Sequence, residues 1–141
     1  MVELFERQFL LEGDDWRAGV EPVALQLTRI ATSQDVVVDA CLVGGQGFLI
    51  ARRRAGASLV GRWFEISPSH ARLLAEQHAL SPTVEARRYA RRHLGVDWLI
   101  DEFEGKLAGL VVASTWSEQG DRPLRLPAWV SREVTGRADL L

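Results

Sequence analysis

Trp98-Leu99-Ile100-Asp101-Glu102-Phe103-Glu104-Gly105, followed by Ala108-Gly109-Leu110-Val111-Val112-Ala113, is the most informative stretch of the chain. Two apolar-rich runs, Trp98–Phe103 and Leu110–Trp116, flank a segment holding Gly105 and Gly109, which reads as two strands joined by a turn. The same grammar extends towards the N-terminus. Val23–Ile30 alternates loosely as a strand, and Val36–Val43 is rich in β-branched residues. Gly44-Gly45 supplies the positive-φ turn of a tight hairpin, with Phe48–Arg53 as its returning strand. A turn at Ala55-Gly56-Ala57 leads into a further strand, Leu59–Ile66. Val2–Leu11 reads as an opening strand, Gly13-Asp14-Asp15 as a turn, and Trp16 as a plug at one end of the core.

Helix signals are fewer. Ser67-Pro68 combines an N-cap with a first-turn proline, so Pro68–His78 is a helix with Ala71, Leu74 and Ala75 on one face. The segment from Ser81 to Gly95 is ambiguous. As a helix it would gather Arg87, Arg88, Arg91 and Arg92 on one charged face; as a strand it would point Arg88 and Arg92 one way and Arg87, Tyr89 and Arg91 the other. Local signals favour the helix slightly. Ser117–Arg125 is a polar loop, and Leu126-Pro127-Ala128-Trp129 packs a closing segment back onto the body. Many short strands with one clear helix place the chain in a mostly-β, α+β class.

Composition narrows the function. A length of 141 residues suits one domain, 1–141, with a sizeable core. A net charge of −2 gives no general attraction to nucleic acid or anionic membranes. Lys106 is the only lysine among seventeen basic residues, and a GC-rich genome would produce the same arginine excess as selection for anion binding. The segment from Arg52 to Arg92 is locally basic, with nine arginines against Glu65, Glu76 and Glu85. Its arginines offer a weak nucleic-acid reading, which the net charge and the single aromatic Tyr89 speak against. The lone cysteine, Cys41, the lack of a signal-peptide pattern in the first twenty residues and the absence of a membrane-length apolar run predict a cytoplasmic location.

Taken in order, these strands resemble the CYTH superfamily, also called triphosphate tunnel metalloenzymes. The likeness is carried by the two quoted runs and by Leu126-Pro127-Ala128-Trp129-Val130-Ser131-Arg132-Glu133-Val134-Thr135. Glu6-Arg7-Gln8-Phe9-Leu10-Leu11, Phe48-Leu49-Ile50-Ala51-Arg52 and Val84-Glu85-Ala86-Arg87-Arg88-Tyr89 add to it. The resemblance implies an eight-stranded antiparallel tunnel barrel with a few flanking helices, and it makes Val84–His93 a strand. It also implies a triphosphate held by inward Lys and Arg, divalent metal held by inward Glu and Asp, and pairing as a homodimer. Family members usually continue past the equivalent of Thr135 into a Tyr- and Asn-containing tail that helps close the tunnel. This chain stops at Leu141, which leaves closure open.

Carried over position by position, much of the family's polar lining is replaced. Its opening Glu-x-Glu-x-Lys falls on Leu4, Glu6 and Gln8, and an Arg-x-Arg pair falls on Asp39 and Cys41. Its Lys falls on Arg52, and its Glu-x-Glu-x-Glu on Gly61, Trp63 and Glu65. Lys-x-Arg falls on Ala86 and Arg88, Glu-x-Asp on Leu99 and Asp101, and the last Glu-x-Glu on Ser114 and Trp116. The projected lining sets Arg52 and Arg88 against Glu6, Asp39, Glu65 and Asp101, a net charge of −2 that would repel a ligand carrying roughly four negative charges. Trp63 and Trp116 are expected to fill space that phosphate would occupy, with Asp39, Cys41 and Ser114 also lining the tunnel.

The expected function is therefore a CYTH-fold protein without triphosphatase or cyclase catalysis. It would act as a non-catalytic binding or scaffold protein for a protein partner or a small ligand, with no cofactor. The alternative is a magnesium- or manganese-dependent triphosphatase acting on inorganic triphosphate or an organic or nucleoside triphosphate. Arg52 and Arg88 would then hold phosphate, and Glu6, Glu65 and Asp101 would hold metal. Arg88 with Asp101 reads equally well as a structural ion pair, and Cys41 as a buried, inert thiol.

Overall fold

Alternation along the strands sorts the side chains into two sets with opposite chemistry, and the chain closes around the polar one. The structure, a computed structural model, describes residues 3–120 and 122–137. Nine strands are present among the described residues: β1 Leu4–Leu11, β2 Val23–Thr32, β3 Val36–Val43, β4 Gln46–Ala55, β5 Ser58–Ile66, β6 Val84–His93, β7 Val96–Phe103, β8 Val111–Ser117 and β9 Val130–Glu133. One α-helix, α1, covers Pro68–His78. Val2 of the expected opening strand, Asp121 of the expected polar loop and residues 138–141 lie outside the described set.

All pairings are antiparallel, in the order β5-β4-β3-β2-β6-β7-β8-β1-β9. A further pairing of β1 with β5 sets Leu4 opposite Gly61 and Glu6 opposite Leu59. It joins the first eight strands into a ring. Strand β9 then pairs with the other half of β1, with Phe9 opposite Glu133. The ring is thus closed by the pairing of β1 with β5.

Local chemistry explains most boundaries. Gly44 and Gly45 both take positive φ at the two-residue β3–β4 turn, where a β-carbon would be strained. Gly47 has a different constraint: a β-carbon there would stand 2.9 Å from the carbonyl oxygens of Ile66 and Ser67, so only glycine lets β4 run this close to the start of α1. The Ser67 side chain accepts a hydrogen bond from the His70 N–H at 3.1 Å, and Pro68 occupies the first turn.

The ambiguous segment is β6. It pairs with β2 on one edge and β7 on the other, which satisfies its backbone on both sides and overrides a marginal helical preference. As a strand it buries Tyr89 on the outside of the ring and sends Arg88 inside.

The main apolar core lies outside the ring rather than within it. Phe9, Trp16, Tyr89, Trp98, Ile100 and Ala113 form one buried cluster, capped by the partly buried Leu124, Trp129 and Val130. Edge-to-face ring contacts order it: Trp16 with Tyr89 at 5.1 Å, Phe9 with Trp98 at 5.5 Å and Trp98 with Trp129 at 5.7 Å. A second cluster, Leu25, Cys41, Ile50 and Ala86, fills one end of the interior. The rest of the interior mixes charged side chains with apolar ones such as Leu27, Phe103 and Val112. Helix α1 packs outside β2, β3 and β4 through the buried Ala71. None of the described helices is long and apolar enough to cross a membrane.

Candidate active site

The inward positions of seven strands converge on one cavity of about 180 Å³, lined by Glu6 and Gln8 of β1, Arg29 of β2, Asp39 of β3, Arg52 of β4, Arg88 of β6, Asp101 of β7, and Ser114 and Trp116 of β8. Period-two geometry dictates this set, because residues two apart on a strand share a face. Cross-strand register then brings charges together. Arg29 lies opposite Asp39 and Arg88 opposite Asp101.

The charges form two networks. Arg88 donates from Nε and Nη2 to the two carboxylate oxygens of Asp101, at 2.8 and 3.0 Å. In the second network Arg52 Nε donates to Glu6 Oε1 at 2.9 Å and its Nη1 to Asp39 Oδ2 at 3.4 Å, while Arg29 Nε donates to Asp39 Oδ1 at 2.9 Å. Gln8 Nε2 adds a bond to Glu6 Oε2 at 3.1 Å. Burial opposes the charged forms of Arg52 and Arg88, yet Glu6 and Asp39 beside the first and Asp101 beside the second outweigh it. Both guanidinium pKa values are raised.

The structure disperses some of the sequence-selected residues. Glu65 shares the inward face of β5 but pairs with Phe48, four positions from the Gly61–Arg52 pair and so about 13 Å along the strand. It stands exposed at the rim, away from the cavity. Cys41 is not a lining residue either. It belongs to the apolar cluster at the end of the interior, and burial pushes its thiol pKa up to about 11 despite Arg88 and Arg52 nearby. Trp63 lines an adjoining cavity of about 250 Å³ that shares Arg88. It meets Trp116 edge to face, ring centres 5.0 Å apart.

Arg29 was missed by sequence reading. Its signal was available, since it lies at an even spacing from the apolar Leu25 and Leu27 and therefore shares their face. Its inclusion and the loss of Glu65 correct the expected lining charge. Arg29, Arg52 and Arg88 balance Glu6, Asp39 and Asp101, so the described cavity is neutral rather than −2.

The donor set does not fit a divalent metal held by the protein alone. Glu6 gives one oxygen to Arg52 and the other to Gln8, and Asp101 gives both to Arg88. With Glu65 at the rim, the expected metal trio is not assembled. Among the described residues no three His, Cys, Asp or Glu side chains are grouped as metal ligands.

Comparison with known proteins gives a consistent picture. No family model matches the chain. It is 28% identical over 137 residues to a protein of Acetivibrio thermocellus named inorganic triphosphatase, covering 96% of this chain and 88% of that one. Among solved structures, the inorganic triphosphatase NE1496 superposes with a TM-score of 0.62 at 19% identity, covering 96% of this chain and 92% of that one. HpAC1 of Hippeastrum, described as having a dominant triphosphatase activity, superposes with a TM-score of 0.56 at 10% identity, covering 84% and 80%. The structural likenesses establish the tunnel fold. The end-to-end relative overturns the expectation of a non-catalytic binding or scaffold protein, which rested on the count of replaced residues and on a lining charge that the fold does not have.

Proposed function

We propose that this chain, which belongs to the CYTH superfamily, hydrolyses inorganic triphosphate inside its tunnel. The observation that carries this is the convergence of three arginines on one cavity, in a chain whose nearly full-length relative is named an inorganic triphosphatase. Hydrolysis of a phosphoanhydride asks little covalent chemistry of a protein. It requires that the chain be held in line and that charge on the transferred phosphoryl group be neutralised.

The arginines supply both. Arg88 meets Asp101 through Nε and Nη2, and Arg52 meets its carboxylates through Nε and Nη1. Nη1 of Arg88 and Nη2 of Arg52 are thus left to face phosphoryl oxygens. Their carboxylate partners fix each fork in place before the ligand arrives, so little reorganisation accompanies the reaction. The same partners cancel the attraction that bare arginines would exert. Binding must shift the carboxylates or bring further positive charge, and Mg²⁺ or Mn²⁺ fits here as counter-ion of the substrate's own phosphates.

The test is release of orthophosphate from tripolyphosphate, with and without Mg²⁺ or Mn²⁺, and with ATP in parallel for organic triphosphates. Arg52→Ala and Arg88→Ala should each lower turnover by about 100-fold, the effect of removing one charge-stabilising donor. A folded wild-type protein that releases no phosphate under any of these conditions would sink the proposal.

A further inference from the structure

Four buried side-chain polar atoms lack a partner among the described residues: Nε of Arg17, Nε1 of Trp98, and two that belong to residues lining this cavity, Oε1 of Gln8 and Nε1 of Trp116. Each costs about 1–3 kcal/mol if left unsatisfied, so the occurrence of the last two on one wall indicates a group that enters from the cavity. The wall is formed by β1 and β8, whose register sets Glu6 opposite Trp116 and Gln8 opposite Ser114. These are the positions on which the family resemblance places a Lys and a Glu-x-Glu pair, and here they are one amide, one hydroxyl and one indole.

The polarity of the two orphans is determined by their surroundings. Gln8 gives its Nε2 hydrogen to Glu6 Oε2 at 3.1 Å, and reversing the amide would set its oxygen against that carboxylate. Its Oε1 therefore needs a donor. The Trp116 indole N–H needs an acceptor. An ionised phosphoryl oxygen satisfies Trp116 but would repel Gln8 Oε1, whereas a water molecule satisfies Gln8. Glu6 lies two residues from Gln8, on the same face, joined to it by that hydrogen bond.

We propose that Trp116 holds a non-bridging oxygen of the terminal phosphoryl group and that Gln8 positions the water that attacks it. The inference rests on the tunnel being the triphosphate site. As the water oxygen bonds to phosphorus, the bridging P–O bond breaks and its electron pair leaves with pyrophosphate, while the water gives up a proton to the Glu6 carboxylate. Gln8 acts as a positioning residue and Trp116 as an orienting donor.

The experiment combines spectroscopy on the intact protein with kinetics of two variants. Tripolyphosphate is titrated into protein carrying ¹⁵N-labelled indoles, with the Trp116 signal identified by its loss in Trp116→Phe. The Trp116 indole proton should move downfield on saturation. Gln8→Leu should lower kcat by about 100-fold while KM stays within about threefold, the pattern of a group that acts in the transition state. Trp116→Phe, which keeps the ring against Trp63, should raise KM as well. If other signals move while Trp116 does not, or if Gln8→Leu leaves kcat unchanged, the inference fails and the tunnel still serves as the triphosphate site. If no signal moves and no phosphate is released, the triphosphate reading falls and the inference with it.

Discussion

Arg88 and Asp101 allow the energetics of the tunnel to be tested without any ligand. Their side chains are 11% and 12% exposed and meet through two bonds of 2.8 and 3.0 Å. At a charge separation of about 4 Å and an effective dielectric of about 20, the attraction is about 4 kcal/mol. Removing one partner leaves the other ion inside the ring, which costs about 3–5 kcal/mol in buried pairs. The adjoining cavity admits water to the orphan, so about 3 kcal/mol is expected for Arg88→Met and for Asp101→Leu.

The double variant, Arg88→Met with Asp101→Leu, should behave differently. Leu27, Phe103 and Val112 line the same cavity, so the two introduced side chains would meet apolar neighbours and carry no charge, and this protein should fall within about 1–2 kcal/mol of wild type. The resulting coupling energy is about 4 kcal/mol. Urea unfolding followed by tryptophan fluorescence at pH 7 measures all four proteins by linear extrapolation. A coupling below about 1 kcal/mol would show that the ions are solvated independently, and the account of the tunnel as a pre-paired site would be wrong.

Two further outcomes follow from the charges and the thiol. Glu133 of β9 has its carboxyl pKa lowered, chiefly by the hydrogen bond from Arg7 of β1, so the stability it adds is present above the ordinary carboxylate value of 4.5 and is lost as pH falls below it. Because Glu133 is 40% exposed, Glu133→Gln should cost less than about 1 kcal/mol at pH 7 and progressively less as the pH is lowered below 4.5, read from urea midpoints across that range. Cys41, buried and with its thiol pushed up to about 11, should resist iodoacetamide at pH 8 in the native protein and react at once in urea; prompt labelling of the native state would place it at the surface.

Apolar and β-branched runs between glycine turns were sufficient for seven of the nine strands, since strand preference and turn chemistry act within a few residues, whereas β9 was read only as part of a closing segment. The Gly44-Gly45 turn and the Ser67-Pro68 helix start were legible for a similar reason: φ preference and capping act within a few residues. The assignment of Arg52, Arg88, Glu6 and Asp101 to one lining came from the family resemblance, with which the period of two agrees. The segment 84–93 was different. Its own residues leaned towards a helix, and family resemblance rather than local physics made it a strand; in the structure β2 and β7 supply the reason by satisfying both of its edges.

Counting along a strand says which face a residue takes but not how far from a given neighbour it lies. Glu65 has the right parity and the wrong height, because ring closure through Leu4 and Gly61 sets the level of β5 against β1. Arg29 reaches the cavity because the β2–β3 register puts it opposite Asp39. Arg29 meets Asp39 and Arg88 meets Asp101 across the offsets of neighbouring strands, whereas the pairing of Glu6 with Arg52, 46 residues away, depends on ring closure. Sequence determined the two faces. Only tertiary closure, which converts parity into distance, decided which charges meet.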